Sequence, residues 1–320
     1  MSRTVAFALT LLLAFAAIAE DKPTETQKFG ESVAVGYVMV PFTVFGEKGA
    51  PVTDINRKDV KLYVDGEPVK SDMFERSMDA PVSFTILLDG SGSMALAGKM
   101  DAARAAIGAL IAHRHKGDDF ALYVFDDKEA HEVVPFTEDV AAIAHALGDV
   151  KPFGKTAFFD AIATMPERSR LGQNPTRAII LLSDGIDNAS HLKRGELGPM
   201  LEGVAVPIYA LGLRERGEQP KFDPNQVNEQ LSDLEALDEV ANLTGGKLFV
   251  GNTPDQLSTA IAAVEQNLRA QYLIGFSPTG KGAVKYRRIS LKVEGRARSV
   301  RVRAGYRGTE PPVLNTIKRS

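Results

Sequence analysis

Between Pro81 and about Ala270 the sequence alternates continuous apolar runs with stretches of helical period, and few architectures accept that alternation. The apolar runs are Val82–Leu88, Phe120–Phe125, Ala178–Leu182, Val206–Leu211 and Lys247–Val250. Runs without polar alternation suit strands covered on both faces. In the helical stretch Met100–Leu110, apolar residues recur at Met100, Ala103, Ile107 and Leu110. Asp139–Leu147, Ala157–Met165, Leu192–Leu201 and Leu231–Leu243 read the same way. A last helix opens on a capping box, with Thr253 as N-cap, Pro254 first and Gln256 third, and runs through Leu257, Ile261, Val264 and Leu268. The segment His131–Phe136 follows Phe120–Phe125 too closely for a crossover and is expected as an antiparallel edge strand. The fold class is therefore α/β: a doubly wound, mostly parallel, Rossmann-like sheet.

The flanks have a different period. Val38, Val40, Phe42 and Val44 alternate with Met39, Pro41 and Thr43; Val60, Leu62 and Val64 alternate with Lys61 and Tyr63 before an Asp65-Gly66 hairpin turn. Pro41 requires an edge or a bulge. Period two returns after Gln271, in Tyr272–Phe276, Tyr286–Val293 and Val300–Ala304, with Ile289, Leu291 and Val293 facing one side. Neither flank is large enough to bury a core alone. Together they predict one small β-sandwich into which the α/β domain is inserted. The expected boundaries are a signal peptide at 1–19, a leader at 20–32, sandwich strands at 33–80, the α/β domain at 81–270, returning sandwich strands at 271–307 and a tail at 308–320.

Arg3, the uncharged run Val5–Ala16 and the small-x-small pattern Ala17-Ile18-Ala19 before Glu20 form an export signal. The apolar stretch is short for a membrane span of ~20 residues. The chain has no cysteine, so an exported product carries no disulfides. With 44% hydrophobic residues, 25% charged residues and a net charge of −3, it has a globular balance and no overall attraction for nucleic acid.

The chemistry lies at the strand ends. Asp89-Gly90-Ser91-Gly92-Ser93 follows the first apolar run, Gly154-Lys155-Thr156 precedes a helix, and Leu182-Ser183-Asp184-Gly185 closes the Ala178–Leu182 run. A doubly wound sheet binds its ligand outside the C-terminal strand ends, where strand order reverses. Two carboxylates and three hydroxyls are hard oxygen donors, suited to Mg²⁺, Mn²⁺ or Ca²⁺ and not to zinc. Two carboxylates against a divalent ion leave the site near neutral and the ion electrophilic toward an incoming anion. Gly90 and Gly92 are expected to let the backbone turn between ligands. An Asp-x-Ser-x-Ser pattern by itself is more often a turn or helix cap; three ordered pieces on strand ends carry more weight.

The strand Ser83–Leu88, Asp89-x-Ser91-x-Ser93, and Thr156 and Asp184 behind them resemble the von Willebrand factor A domain and its metal-ion-dependent adhesion site. The resemblance implies that Ser91, Ser93 and Thr156 touch the metal, that Asp89 and Asp184 act directly or through water, and that a partner's Asp or Glu fills an open position. Met94-Ala95-Leu96-Ala97 replaces the acidic residues that form an adjacent metal site in part of the family, so none is expected there. Asp160 reads as a helix-start or supporting residue; Asp187 either tunes the site or is merely exposed. Over most of the chain, Lys58–Gly66, Thr244-Gly245-Gly246, Gln271–Phe276 and Tyr286–Ile289 are similar to bacterial exported VWFA-related proteins. That likeness implies a periplasmic or extracellular location and does not specify a ligand.

The function expected is non-enzymatic, metal-dependent capture of an acidic residue on a partner protein. A metal-dependent hydrolase needs a base or nucleophile beside the ion. The sequence has no Gly-x-Ser-x-Gly elbow and no phosphate loop, and only His191 lies near the ligand segments. A scaffold with a purely structural metal is the third class. The basic residues of the last strands, among them Arg287, Arg288, Arg301 and Arg303, read as one solvated face that blunts edge pairing, with weak contact to an anionic surface as the functional alternative. His113 and His115, two apart on a helix, do not share a face and suggest no zinc site. The polar insertion Arg214–Gln230 reads as a mobile loop, with a place beside the metal crevice and a part in partner choice as the functional alternative.

Overall fold

The computed structural model describes residues 38–78, 80–201, 204, 206–214, 227–278, 285–295 and 297–308. The expected export signal and leader, the tail beyond Gly308, and most of the Arg214–Gln230 insertion lie outside the described residues. Among the described residues no helix is long and apolar enough to cross a membrane.

The strands of the first flank are β1 (Val38–Phe45), β2 (Val60–Val64), β3 (Glu67–Val69) and β4 (Met73–Met78). The alternating segment then contributes β5 (Val82–Asp89), α1 (Lys99–Ala112), β6 (Asp119–Phe125), β7 (Ala130–Thr137), α2 (Val140–Asp149), α3 (Phe158–Ser169), β8 (Thr176–Ser183), α4 (Arg194–Leu201), β9 (Ile208–Leu213), α5 (Val227–Thr244), β10 (Leu248–Gly251) and α6 (Pro254–Arg269). The second flank supplies β11 (Ala270–Phe276), β12 (Lys285–Val293), β13 (Ser299–Val302) and β14 (Gly305–Gly308).

The central sheet has the order β10-β9-β8-β5-β6-β7. Its pairs are parallel except β6–β7, the antiparallel edge expected from the short connection. Every residue of β5 is buried, which is why that strand carries no polar alternation. Phe84, Ile86 and Leu88 pack with Ile107, Leu110, Ile261 and Val264 on one face. Leu87, Tyr123 and Leu181 pack with Phe158, Ile162 and Leu237 on the other. The capping box of α6 forms only in part. Thr253 accepts from Gln256 N, but the Gln256 side chain accepts from Asn252 N, one residue before the cap.

The flanks pair with each other in two sheets, ordered β13-β1-β11-β4 and β14-β12-β2-β3. Val40, Phe42, Val60, Leu62, Tyr272, Ile274, Ile289 and Tyr306 form one core between them. Asp65 and Gly66 both have positive φ, 51° and 88°, in the two-residue turn joining β2 to β3. Pro41 pairs with Leu273 in the β1–β11 ladder, while β13 pairs only with Phe42–Phe45, so the proline stands outside the second ladder. The apolar-alternating run Val300–Ala304 does not continue as one strand. The chain turns at Arg303-Ala304 and crosses into the other sheet as β14. Gly305 permits this, since a Cβ there would lie 2.2 Å from Arg287 O.

The basic residues of the second flank do not form one solvated face. Arg287 and Arg303 are buried, at 5% and 6% exposure. Arg287 continues the inward parity of Ile289 and Leu291 and pairs with Asp65 at 2.7 Å. Arg303 donates to Met39 O, and Arg301 lies over the Phe45 ring. Lys285, Arg288, Lys292, Arg298 and Arg307 stay exposed.

Entry to and exit from the central sheet are adjacent, because Met78 at the end of β4 pairs with Ala270 at the start of β11. A buried fork secures that junction. Arg269 donates to both oxygens of Asp118, at 3.3 and 2.6 Å, and to Ala80 O, while Asp118 also accepts from Val82 N and His115 N.

Candidate metal centre

Strand β5 lies between β6 and β8, so the order reverses there and a crevice opens above the C-terminal ends of β5 and β8. Asp89 ends β5, and Asp184 follows Ser183 at the end of β8. Three loops meet above these ends through backbone hydrogen bonds. Gly90 N donates to Phe125 O, Phe153 N to Gly90 O, and Gly92 N to Gly154 O, tying the Asp89–Ser93 loop to the segment before Thr156. Asn188 N and Ala189 N both donate to Thr156 O, and Thr156 N donates to Asn188 Oδ1, tying that segment to the loop after Asp184.

Gly90 and Gly92 act differently from the turn role expected of them. Neither has positive φ. Their contribution is close approach: a Cβ on Gly90 would lie 2.7 Å from Val124 Cγ1, and one on Gly92 would lie 3.2 Å from Gly154 O. Positive φ occurs instead at Gly154 and Gly185, at 83° and 84°.

The side chains expected to bind metal are brought to this junction. Asp89 is 0% exposed, Ser91 1%, Thr156 1% and Asp184 8%. Asp89 Oδ1 accepts from Ser91 N at 2.9 Å, and its Oδ2 from Ser183 Oγ at 2.6 Å. The Ser91 and Ser93 hydroxyls lie 3.0 Å apart. Asp184 Oδ1 accepts from Ile186 N, and its Oδ2 from Lys99 Nζ at 2.9 Å. Burial, and then the charge of Asp184, push the Asp89 carboxyl up to about 6 against its hydrogen bonds from Ser183 and Ser91.

The sequence reading missed Ser183 and Lys99. Ser183 was visible as the residue before Asp184, but its contact with Asp89 depends on β5 and β8 being neighbours. Lys99 left a clearer signal. It lies four residues before Ala103 on the stripe that continues through Ala106 and Leu110, a face that is otherwise apolar. It also sits in the first turn of α1, where the helix dipole disfavours a cation.

Asp160 and Asp187 support the loops. Asp187 Oδ1 accepts from Phe158 N at the start of α3 and from Ser190 Oγ. Asp160 accepts from His191 N and Leu192 N. Burial alone raises the Asp160 carboxyl, but these bonds and the His191 ring outweigh it and hold the group below its usual range. His191 is exposed and its Nδ1 lies 3.0 Å from Asp160 Oδ2. Helix α1 ends at Ala112, so His113 and His115 lie in the turn after it and line a cavity of about 290 Å³ with Glu265 and Arg269.

The donor set fits a hard divalent cation. Two buried carboxylates against one buried ammonium leave one negative charge in a low-dielectric crevice, with hydroxyls adjacent. Among the described residues no group of three or more His, Cys, Asp or Glu is arranged to hold a metal, so an ion here would depend on the hydroxyls. Beside the motif a cleft of about 310 Å³ is lined by Gly90, Asp126, Asp127, His131 and Phe153. Phe153 is 84% exposed on its rim, and Leu96, three residues after Ser93, is 55% exposed.

Residues 84–186 match the family model of the von Willebrand factor type A domain. Among solved structures, a von Willebrand factor type A protein from Catenulispora acidiphila is similar at 15% identity, over 86% of this chain and 73% of that one, with a TM-score of 0.49. The von Willebrand factor domain of the type V pili tip protein Mfa5 from Porphyromonas gingivalis is similar at 12% identity, over 64% of this chain and 98% of that one, with a TM-score of 0.46. Proximal thread matrix protein 1 from the mussel byssus, described with a zinc-occupied adhesion-site motif, is similar at 19% identity, over 63% of this chain and 50% of that one, with a TM-score of 0.46. No curated protein matches the sequence. The family match covers β5 through the loop after Asp184, the segment that builds the crevice, and the chain contains a von Willebrand factor type A domain.

Proposed function

We propose that this is an exported, non-enzymatic binding protein that captures an exposed Asp or Glu of a partner protein through a divalent cation, Mg²⁺ foremost and otherwise Mn²⁺ or Ca²⁺. The observation that carries the reading is the meeting of the Asp89–Ser93 loop with the Thr156 and Asp184 loops, where the carboxylates of Asp89 and Asp184 are both buried and Asp184 is bonded to the buried Lys99. Ser91, Ser93 and Thr156 would supply neutral donors, and Asp89 and Asp184 the charge that holds the ion. The cation would supply an electrophilic position for an incoming carboxylate. Neutral ligands leave that position available to a partner's anion.

The protein's own groups do the remaining work. Ser183 and the Ser91 amide hold Asp89 in one orientation. Asp187 and Asn188 position the Thr156 segment. Phe153, which lines the adjoining cleft, and Leu96, three residues after Ser93, are exposed apolar side chains available to a partner. His191 has its ring nitrogen bonded to Asp160, and no described contact joins it to Ser91, Ser93 or Thr156.

The test is a thermal melt of the mature chain in EDTA and then in Mg²⁺, Mn²⁺ or Ca²⁺, beside Asp89→Ala. A native-state ion at ~100-fold its dissociation constant adds about 2.7 kcal/mol. A rise in the wild type that the variant lacks supports the reading. No rise in the wild type, together with no cation-dependent retention on an immobilised Asp- or Glu-bearing peptide, overturns it.

A further inference from the structure

The pair Lys99–Asp184 is unusual on three physical grounds. Its side chains are 7% and 4% exposed, so both charges have left water. Lys99 lies in the first turn of α1, where the dipole opposes it. It also bonds Asp184, one of the residues that the proposed function assigns to a divalent cation. A buried lysine in such a place needs a compensating anion, and Asp184 Oδ2 at 2.9 Å supplies one.

We propose that Lys99 is a built-in counter-cation that couples ion binding at this site to capture of an anionic partner. This inference rests on the metal-dependent reading above. Without a divalent ion, Asp89, Asp184 and Lys99 sum to one negative charge. With the ion bound, the same set carries one positive charge. The reversal has two consequences. Lys99 repels the incoming ion and competes for Asp184, so the cation alone is held weakly. Once the ion is bound, the excess positive charge is neutralised by a carboxylate from outside, so ion and carboxylate favour each other's binding. By linkage the effect is reciprocal: each tightens the other by the same factor. Without Lys99, two carboxylates would neutralise the ion and leave less attraction for the partner's acid. Lys99 is thus a positioning and charge-setting residue.

The experiment is a Mn²⁺ binding isotherm on the mature chain, without and then with saturating acetate as the carboxylate probe. The proteins are wild type, Lys99→Met, Lys99→Gln and Asp89→Ala. The glutamine keeps a donor toward Asp184 without the charge and serves if the methionine variant does not fold. Removing one like charge beside the ion is expected to tighten Mn²⁺ alone by on the order of tenfold. Acetate is expected to tighten Mn²⁺ severalfold in wild type and less in the uncharged variants. The melting temperature in EDTA gives an independent readout, because loss of Lys99 leaves Asp184 buried and unpaired. The folded variants should melt lower than wild type in EDTA and gain more from Mn²⁺. If wild type binds Mn²⁺ through Asp89 but the uncharged variants bind it no more tightly, or acetate helps all proteins equally, the role of Lys99 is overturned and the metal site stands. If none binds Mn²⁺ with or without acetate, both readings fall.

Discussion

Ser183 Oγ donates to Asp89 Oδ2 at 2.6 Å across two neighbouring parallel strands, joining residues 94 positions apart in sequence. The hydroxyl also accepts from Gly185 N, so a single side chain orients the first carboxylate and the loop carrying the second. Replacing it with alanine leaves a buried carboxylate oxygen without its donor, which costs about 1–3 kcal/mol. Ser183→Ala should therefore melt lower than wild type in EDTA and bind Mg²⁺ more weakly; chemical denaturation with and without the ion checks both. An unchanged stability would remove Ser183 from the support of the site.

Gly185 follows Asp184 with a φ of 84°, and a Cβ there would lie 2.6 Å from Asp233 O on α5. Alanine would be strained by its conformation and would also push against backbone. Gly185→Ala is expected to lose about 1–3 kcal/mol and to shift the Asp184 loop. Gly148→Ala, at an open helical position of α2, is the control and should be neutral or slightly stabilising. Paired urea titrations distinguish the two.

Asp118 and Arg269 close the junction between the central sheet and the flanking sheets, with side chains 0% and 9% exposed. Removing one partner of a buried pair costs about 3–5 kcal/mol because the other charge is left uncompensated. Asp118→Ala should lower the melting temperature strongly, and hydrogen exchange should show loosening at the α6–β11 junction. The double replacement Asp118→Leu with Arg269→Met should recover much of the loss. Equal losses in the single and double variants would show that the bonds to Ala80 O, Val82 N and His115 N matter more than the charges.

Glu265 on α6 has a buried Oε1 that finds no hydrogen-bond partner among the described residues. Burial lifts its carboxyl to about 7; His113 and Arg269 oppose the rise and Asp118 adds to it. The folded state therefore keeps a proton that the unfolded chain releases above its ordinary value of 4.5. Stability from this group is present below about 4.5, falls as pH rises to about 7 and is flat above. Glu265→Gln should raise the melting temperature at pH 8 relative to wild type and change it little at pH 4.5. A parallel offset at both values would show that the carboxyl does not titrate differently in the two states.

The central sheet was legible in the sequence because burial on both faces removes polar residues from a strand. Val82–Leu88 and Ala178–Leu182 therefore stand out without any knowledge of their neighbours. The antiparallel edge was legible from connection length, and the β2–β3 turn from Asp65-Gly66. The basic final strands depart from the expected single solvated face because strand parity, not charge, sets which side chains turn inward. Arg287 shares the inward side of Ile289 and Leu291, and Asp65 Oδ2, 2.7 Å from its guanidinium, supplies a compensating charge.

The candidate site divides in the same way. The linear pattern determined which donors exist, since hard oxygen ligands at strand ends follow from residue type and period. The tertiary structure decided which of them meet. It placed β8 beside β5, so that Ser183 reaches Asp89, and it turned the first residue of α1 inward, so that Lys99 reaches Asp184. Local sequence determines a strand or a helix because backbone conformation and solvent-facing period are local properties. The charge of a buried site is a sum over segments distant in the chain, and only the folded packing selects its terms.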